Sequence, residues 1–307
     1  MTGGAPPRSG ARAGGEGGAV TVSAEWLAAH LGDPGVRVVD VRGKVLPPGA
    51  KPRYLAKRSE YEAGHIPGAV FVDWTRDIVD PSDPVPMQVA GPGPFAAKMG
   101  ELGIGDDALV VAYDDYDHAF AGRFAWALRY YGHDRVRLLD GGWKKWLAEG
   151  RATTAAVARR PLAEFTPRAR AGLRRTADEV QAALGRPDVL LIDARPAEQY
   201  LGAKSAASRA GHIPGAINVP YASLVDPKSG EFLGEGELRS AFAGAGVDVD
   251  ALPREVIVYC NGGVTCTVAL SALRLLRSDR SDVAVYDGSW NEWGNDPARP
   301  TKSGPTP

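Results

Sequence analysis

The chain has 307 residues, of which 44% are hydrophobic and 24% charged, and its formal net charge at pH 7 is −1. That length gives room for about two domains, and the balanced charge removes any general electrostatic case for nucleic acid or an anionic membrane as partner. No apolar run approaches the roughly 20 residues that a membrane span needs, and the two cysteines, Cys260 and Cys266, make neither a disulfide framework nor a four-ligand zinc site and fit a reducing cytoplasm.

Residues 1–19 are rich in Gly, Ala and Arg without a hydrophobic segment, so they are expected to form a solvated, disordered tail rather than a secretory signal. Val22 to Leu31 predicts a short helix capped by Ser23. Val36 to Asp40 predicts a strand that ends in Asp40-Val41-Arg42. The basic run Lys51, Arg53, Lys57 and Arg58 reads as a solvated loop, with a supply of positive charge to a cleft as the alternative. Then come Gly64-His65-Ile66-Pro67-Gly68, a helix over Phe95–Leu102, a strand over Leu109–Tyr113, a helix over Phe124–Tyr131, a strand over Val136–Leu139, and Asp140-Gly141-Gly142-Trp143.

The same signals return in the same order about 150 residues later, which marks a duplicated domain rather than a short-repeat solenoid. Thr176 to Leu184 is helical, and the strand Val189–Asp193 ends in Asp193-Ala194-Arg195. Gly211-His212-Ile213-Pro214-Gly215 repeats Gly64–Gly68, Val256–Tyr259 answers Leu109–Tyr113, and Asp287-Gly288-Ser289-Trp290 answers Asp140–Trp143. Apolar strands alternating with helices give an α/β domain with a mainly parallel sheet. The expected organisation is one domain over 20–150, a linker over 151–172, a second domain over 173–298 and a loose tail over 299–307.

The duplication fails at one informative place. In the second copy the central strand ends at Cys260 and continues Asn261-Gly262-Gly263-Val264-Thr265 into a helix over Thr267–Leu276. The glycines let the backbone curl so that successive N–H groups face inward. Those amides and the positive end of the helix favour an anionic sulfur, so Cys260 is the candidate nucleophile and residues 261 to 265 its cradle, with the Thr265 hydroxyl as a further donor. In the first copy Asp114 stands at the cysteine's position, followed by Asp115-Tyr116-Asp117-His118. That loop has no thiol and no glycine pair, so the first domain is expected to serve as support and as one wall of the site.

Together, the paired Gly-His-Ile-Pro-Gly motifs, the loop Cys260–Thr265 and the run Asp287–Trp293 resemble the two-domain rhodanese family of sulfurtransferases, over about Val20 to Asp296. The resemblance implies two tandem rhodanese-like α/β domains, the first inactive, with the site at the cleft between them. It implies that Cys260 takes a sulfane sulfur from thiosulfate or 3-mercaptopyruvate, carries it as a persulfide and passes it to a thiophilic acceptor such as cyanide or a thiol. No metal or organic cofactor is implied.

The departures concern the donor. Thiosulfate-type members carry cationic residues just after the cysteine, where this chain has Asn261 and Gly262; mercaptopyruvate-type members have small residues there, with a serine at the position of Gly262. Many members place an arginine at the position of Gln199. An anionic donor still needs a cation, and the candidates are Arg209, Lys204 and then Arg195. Asp193 reads as support for the loop backbone, with a direct catalytic part as the alternative. His65 and His212 occur in both copies and read as turn residues. Cys266 reads as a packed small residue, with a resolving thiol as the alternative, and Trp143, Trp290 and Trp293 read as packing. A cysteine phosphatase closes its loop with an arginine six positions after the cysteine, and here that position is Cys266. A pair of non-catalytic interaction modules is the remaining alternative, and it predicts an unreactive Cys260.

Overall fold

The computed structural model describes residues 19–47 and 49–307; the tail expected at the amino terminus lies, up to Gly18, outside the described residues. The first half runs β1 (Thr21–Val22), α1 (Ala24–His30), β2 (Val36–Asp40), β3 (Gly43–Val45), β4 (Tyr54–Ala56), α2 (Arg58–Ala63), β5 (Val70–Phe71), α3 (Pro92–Glu101), β6 (Leu109–Tyr113), α4 (Ala119–Tyr130), β7 (Val136–Leu139) and α5 (Gly142–Ala148). The second half runs β8 (Arg174–Arg175), α6 (Ala177–Ala183), β9 (Val189–Asp193), α7 (Ala197–Tyr200), β10 (Ala216–Asn218), α8 (Glu235–Gly244), β11 (Glu255–Tyr259), α9 (Cys266–Leu276), β12 (Ala284–Tyr286) and α10 (Ser289–Trp293).

Among the described residues each half builds a five-stranded sheet, in the order β1-β7-β6-β2-β5 and β8-β12-β11-β9-β10. All pairings within these two sheets are parallel. The two orders match strand for strand. Asp40 lies opposite Tyr113, and Asp193 lies opposite Tyr259, in the same register of the central pair. Asp114 and Cys260 therefore leave equivalent strands at the carboxyl edge of each sheet, where an open parallel sheet gathers its binding loops.

Local sequence accounts for most of these elements. Ser23 caps α1 by accepting the Trp26 N–H at 3.0 Å, and Thr176 with Glu179 forms a capping box on α6. The central strands are apolar because helices cover both faces of the sheet. Helix α4 is an exception: it starts at Ala119 rather than Phe124, because the Asp114 carboxylate accepts the N–H groups of Phe120 and Ala121, both at 2.8 Å. A side-chain cap six residues upstream leaves no periodic signal.

Helices α4 and α9, which follow the two equivalent loops, pack against each other across the domain boundary. Their backbones come so close that a Cβ on Gly122 would lie 2.6 Å from Thr267 Oγ1. One apolar core runs from β6 and α4 into α9 and β11 without a break, so the two loops meet at the interface. Two smaller cores lie on the outer faces of the sheets.

The linker over 151–172 and the carboxyl-terminal segment are both docked on the domains, and for the latter the expected loose tail is corrected. Residues 151–172 are laid along the first domain: Thr154 pairs with His65, Arg160 Nη2 donates to Gly68 O at 2.9 Å, and Arg168 N donates to Tyr131 O at 2.9 Å. Residues 299–304 are not loose, since Lys302 pairs with His212 and Arg299 forms ion pairs with Asp178 and Asp296. Both segments are held partly through backbone groups, which any sequence supplies, and partly through the side chains of Arg160 and Arg299. The antiparallel hairpin β3–β4 was not legible either; its strands are three residues long.

Candidate active site

Cys260 is 1% exposed and follows directly on β11. Burial alone raises a thiol's pKa, but here hydrogen bonds from the Cys266 thiol, the Thr265 hydroxyl and the backbone N–H groups of Cys266 and Gly262 outweigh it, and the Cys260 pKa falls to about 5. At neutral pH this sulfur is a thiolate. Cys266, the first residue of α9, is the protonated partner, its pKa raised well above the ordinary value by burial and by its bond to Cys260. It lies in the core, as expected of a packed residue, and it is also a donor to the nucleophile.

The loop is shaped from below by Ser289. Its Oγ accepts the N–H of Cys260 at 3.2 Å and of Gly263 at 3.0 Å, while donating to Tyr286 O at 2.7 Å. The loop also carries two strand-like bonds to α10, from Trp290 N to Cys260 O at 3.0 Å and from Asn291 N to Asn261 O at 2.7 Å. Gly263 has φ +68°, and a Cβ there would lie 2.8 Å from Asp287 O, so this position requires glycine. Behind it, Arg123 of α4 donates through Nη1 to Gly263 O at 3.2 Å and through Nη2 to Met87 O at 2.7 Å. The first domain thus braces the loop of the second.

In the equivalent loop of the first domain Asp114 stands in the place of the nucleophile. Asp114 turns its carboxylate into its own cradle: Oδ1 accepts from Tyr116 N and His118 N at 2.9 and 3.1 Å, and Oδ2 from Phe120 N and Ala121 N. The backbone ring that holds a thiolate in the second domain is filled here by a fixed carboxylate.

Cys260 opens onto a cleft of about 320 Å³ between the domains. Tyr221, Gln199, Asn261 and Val264 line it from the second domain, and Tyr116, Tyr54 and Arg53 from the first. Tyr116 and Tyr221 hydrogen-bond to each other across it, and burial together with Tyr116 raises the Tyr221 pKa. Asn291 Nδ2 donates to Tyr54 Oη at 3.1 Å, tying the β3–β4 hairpin to the second domain. Gln199 accepts from Asn261 Nδ2 at 3.0 Å, so the position where an arginine is common is in the cleft but neutral.

The three cation candidates from the sequence are placed elsewhere. Arg195 is 1% exposed and committed to Asp193, with Nη2 to Oδ2 at 2.6 Å and Nε to Oδ1 at 3.0 Å, and to Gly211 O at 2.7 Å. Lys204 forms an exposed pair with Glu198 at 2.8 Å. Arg209 clamps the carboxyl-terminal segment through the carbonyls of Arg299, Trp293 and Asp296. None of the three lines the cleft. Sequence proximity to the Gly211-His212 turn was a poor guide, because that turn faces the terminal segment.

Asp193 does not bond the loop backbone directly. It holds Arg195 and bonds the hydroxyl of Tyr259, the residue before Cys260, which in turn accepts Ile213 N at 3.1 Å. Asp40, Tyr113 and Ile66 repeat this arrangement in the first domain. His65 and His212 each bond a carbonyl of the preceding helix, Tyr61 O at 2.7 Å and Tyr200 O at 2.8 Å, and stack on that tyrosine. They are turn residues in both copies. Trp290 and Trp293 fill the outer core of the second domain, and Arg42 lies 4.4 Å over Trp143 in the first. Ser289, Arg123 and Tyr54 escaped sequence reasoning as site residues, with only the departure of Ser289 from its counterpart Gly142 as a signal; Arg53 belongs to the basic run whose alternative reading was a supply of positive charge to a cleft, and it lines the cleft.

Comparison with known proteins agrees with this geometry. The rhodanese-like domain family matches residues 23–149 and again residues 176–296. The chain is 37% identical over 276 residues to the 3-mercaptopyruvate sulfurtransferase of Escherichia coli (strain K12), covering 89% of this chain and 94% of that protein. It is 35% identical over 288 residues to the sulfur carrier protein TtuD of Thermus thermophilus, covering 90% and 94%. The crystal structure of SseA from Escherichia coli superposes with a TM-score of 0.78 at 36% identity, covering 89% of this chain and 99% of that one. With two copies of the domain, one carrying a cradled thiolate and one a cradled carboxylate, the chain belongs to the rhodanese-like domain family.

Proposed function

We propose that this sulfurtransferase works through a persulfide on Cys260 and takes its sulfur from 3-mercaptopyruvate. The Cys260 thiolate attacks the donor sulfur, an S–S bond forms and the donor's C–S bond breaks. The carbon of the leaving enolate takes the donor's thiol proton, so the products are the persulfide anion and pyruvate. The acceptor, cyanide or a thiolate, then attacks the outer sulfur and returns Cys260 as a thiolate. The loop donors hold negative charge on sulfur at each stage, so no proton has to be stored on the protein.

The observation that carries this reading is the Cys260 thiolate, ringed by donors from Gly262, Thr265 and Cys266 and opening onto the cleft. The donor choice is supported by the absence of a cation in residues 261 to 265, since a dianion such as thiosulfate calls for charge beside the sulfur. Two free thiols and no membrane-spanning helix among the described residues support a cytoplasmic setting.

Intact-protein mass after brief incubation with each donor tests the proposal. Wild type should gain one sulfur atom that cyanide removes, faster with 3-mercaptopyruvate. Cys260→Ser should gain none and stay folded. A faster gain from thiosulfate would reassign the donor, and no gain from either would favour the interaction-module reading.

A further inference from the structure

Arg53 sits at the turn side of the β3–β4 hairpin, in the first domain, and lines the same cleft as Cys260. Among the residues that line this cleft it is the one cation, and no carboxylate lines it. Its Nε is buried without a hydrogen-bond partner, and among the described residues no ion pair engages its guanidinium. Its other neighbour is the Tyr54 ring, 5.5 Å from the guanidinium carbon. The same hairpin is fixed to the second domain through Tyr54 and Asn291, so the guanidinium is held over the cleft rather than carried on a free loop.

The charges of the site make this placement consequential. An occupied cleft holds a thiolate and an anionic donor, and the nearby arginine and lysine of the second domain are spent on Asp193 and Glu198. An anion brought into a half-buried cleft without a partner is strongly disfavoured. A planar guanidinium without an ion-pair partner matches a carboxylate bidentately, which a point charge does not. We propose that Arg53 is the donor-binding residue of this site and anchors the carboxylate of a small thiol acid, so that recognition comes from the first domain while the chemistry stays on the second. This deepens, and rests on, the sulfurtransferase reading given above. It also gives the inactive domain a task beyond support: without it the cleft has a nucleophile but no anion grip.

The test separates recognition from chemistry. Sulfur transfer to cyanide is measured with 3-mercaptopyruvate for wild type, Arg53→Gln, Arg53→Lys and Lys51→Gln; the last removes a charge from the same segment but does not line the cleft. In parallel, Cys260 is alkylated with neutral iodoacetamide and with anionic iodoacetate, which carries a carboxylate beside its reacting carbon. Arg53→Gln should raise KM about ten- to a hundredfold with little change in kcat, and slow iodoacetate by a comparable factor while leaving iodoacetamide unchanged. Arg53→Lys should recover part of the loss, and Lys51→Gln should behave as wild type. An unchanged KM and an unchanged ratio of the two alkylation rates in Arg53→Gln would overturn the assignment. So would a fall in kcat alone with equal slowing of both reagents, which would make Arg53 a structural residue. If wild type fails to transfer sulfur, the proposed activity falls, but the alkylation ratio still decides whether Arg53 grips a carboxylate.

Discussion

Arg123 on α4 of the first domain and Asp287 after β12 of the second form an ion pair, 2.6 Å from Nη1 to Oδ1, with side chains 0% and 1% exposed. Asp287 also accepts Val89 N at 3.0 Å and Arg174 Nε at 3.1 Å, while Arg123 reaches the carbonyl of Gly263 in the nucleophile loop. One buried pair thus joins the domains and the loop. Breaking such a pair from one side leaves an uncompensated charge and costs about 3–5 kcal/mol. Asp287→Ala should lower the unfolding midpoint markedly and depress sulfur transfer with it. A double change, Arg123→Met with Asp287→Leu, should regain part of the stability. Calorimetry on both variants checks this, and an unchanged midpoint in Asp287→Ala would show that the pair contributes nothing.

The Cys266 thiol donates to the Cys260 thiolate. Cys266→Ala removes one hydrogen bond to a charged acceptor, worth about 1.5–3 kcal/mol, so the Cys260 pKa should rise by about one to two units. The pH profile of iodoacetamide alkylation reads this directly. Wild type should show a midpoint of about 5 and a plateau above it. Cys266→Ser keeps a donor and should stay near wild type in both pKa and turnover. The folded pKa is depressed, so the stabilising effect of the thiolate's hydrogen bonds is present at and above the free-thiol range. It is lost as pH falls through about 5.

Gly263→Ala combines a positive φ with a Cβ 2.8 Å from Asp287 O. An L-residue in this region costs about 1–2 kcal/mol before any clash, and the loop must shift to relieve the contact. Turnover should fall more than tenfold and urea should unfold the variant earlier. Gly215→Ala is the control: φ is +84° but nothing lies within 4 Å, so it should lose stability from backbone strain and keep turnover.

Asp114→Ala would strip four backbone donors of their acceptor in a buried loop. Each unsatisfied donor costs about 1–3 kcal/mol, so the first domain should be strongly destabilised. Asp114→Asn, which retains one acceptor oxygen, should lose less. Denaturant titration of both variants gives the comparison.

The duplicated α/β architecture and its central strands were legible in the sequence, which also named Cys260 as the candidate nucleophile and Asp114 as its counterpart in the first copy. These follow from local information: runs of apolar residues, a cap within three residues, and a loop whose glycines, threonine and cysteine are contiguous, so that backbone amides converge on one atom. What surrounds that atom is set by contacts between distant elements. Arg123, Ser289, Tyr116 and Arg53 come from separate elements, and no spacing relates them to Cys260. The sequence also put Arg209 and Lys204 ahead of Arg195 as cation candidates, because they lie just before the Gly211-His212 turn. A guanidinium goes where its buried partners are, and theirs are Asp193 and the carbonyls of the terminal segment. That left the cleft's positive charge to a three-residue strand's hairpin from the other domain.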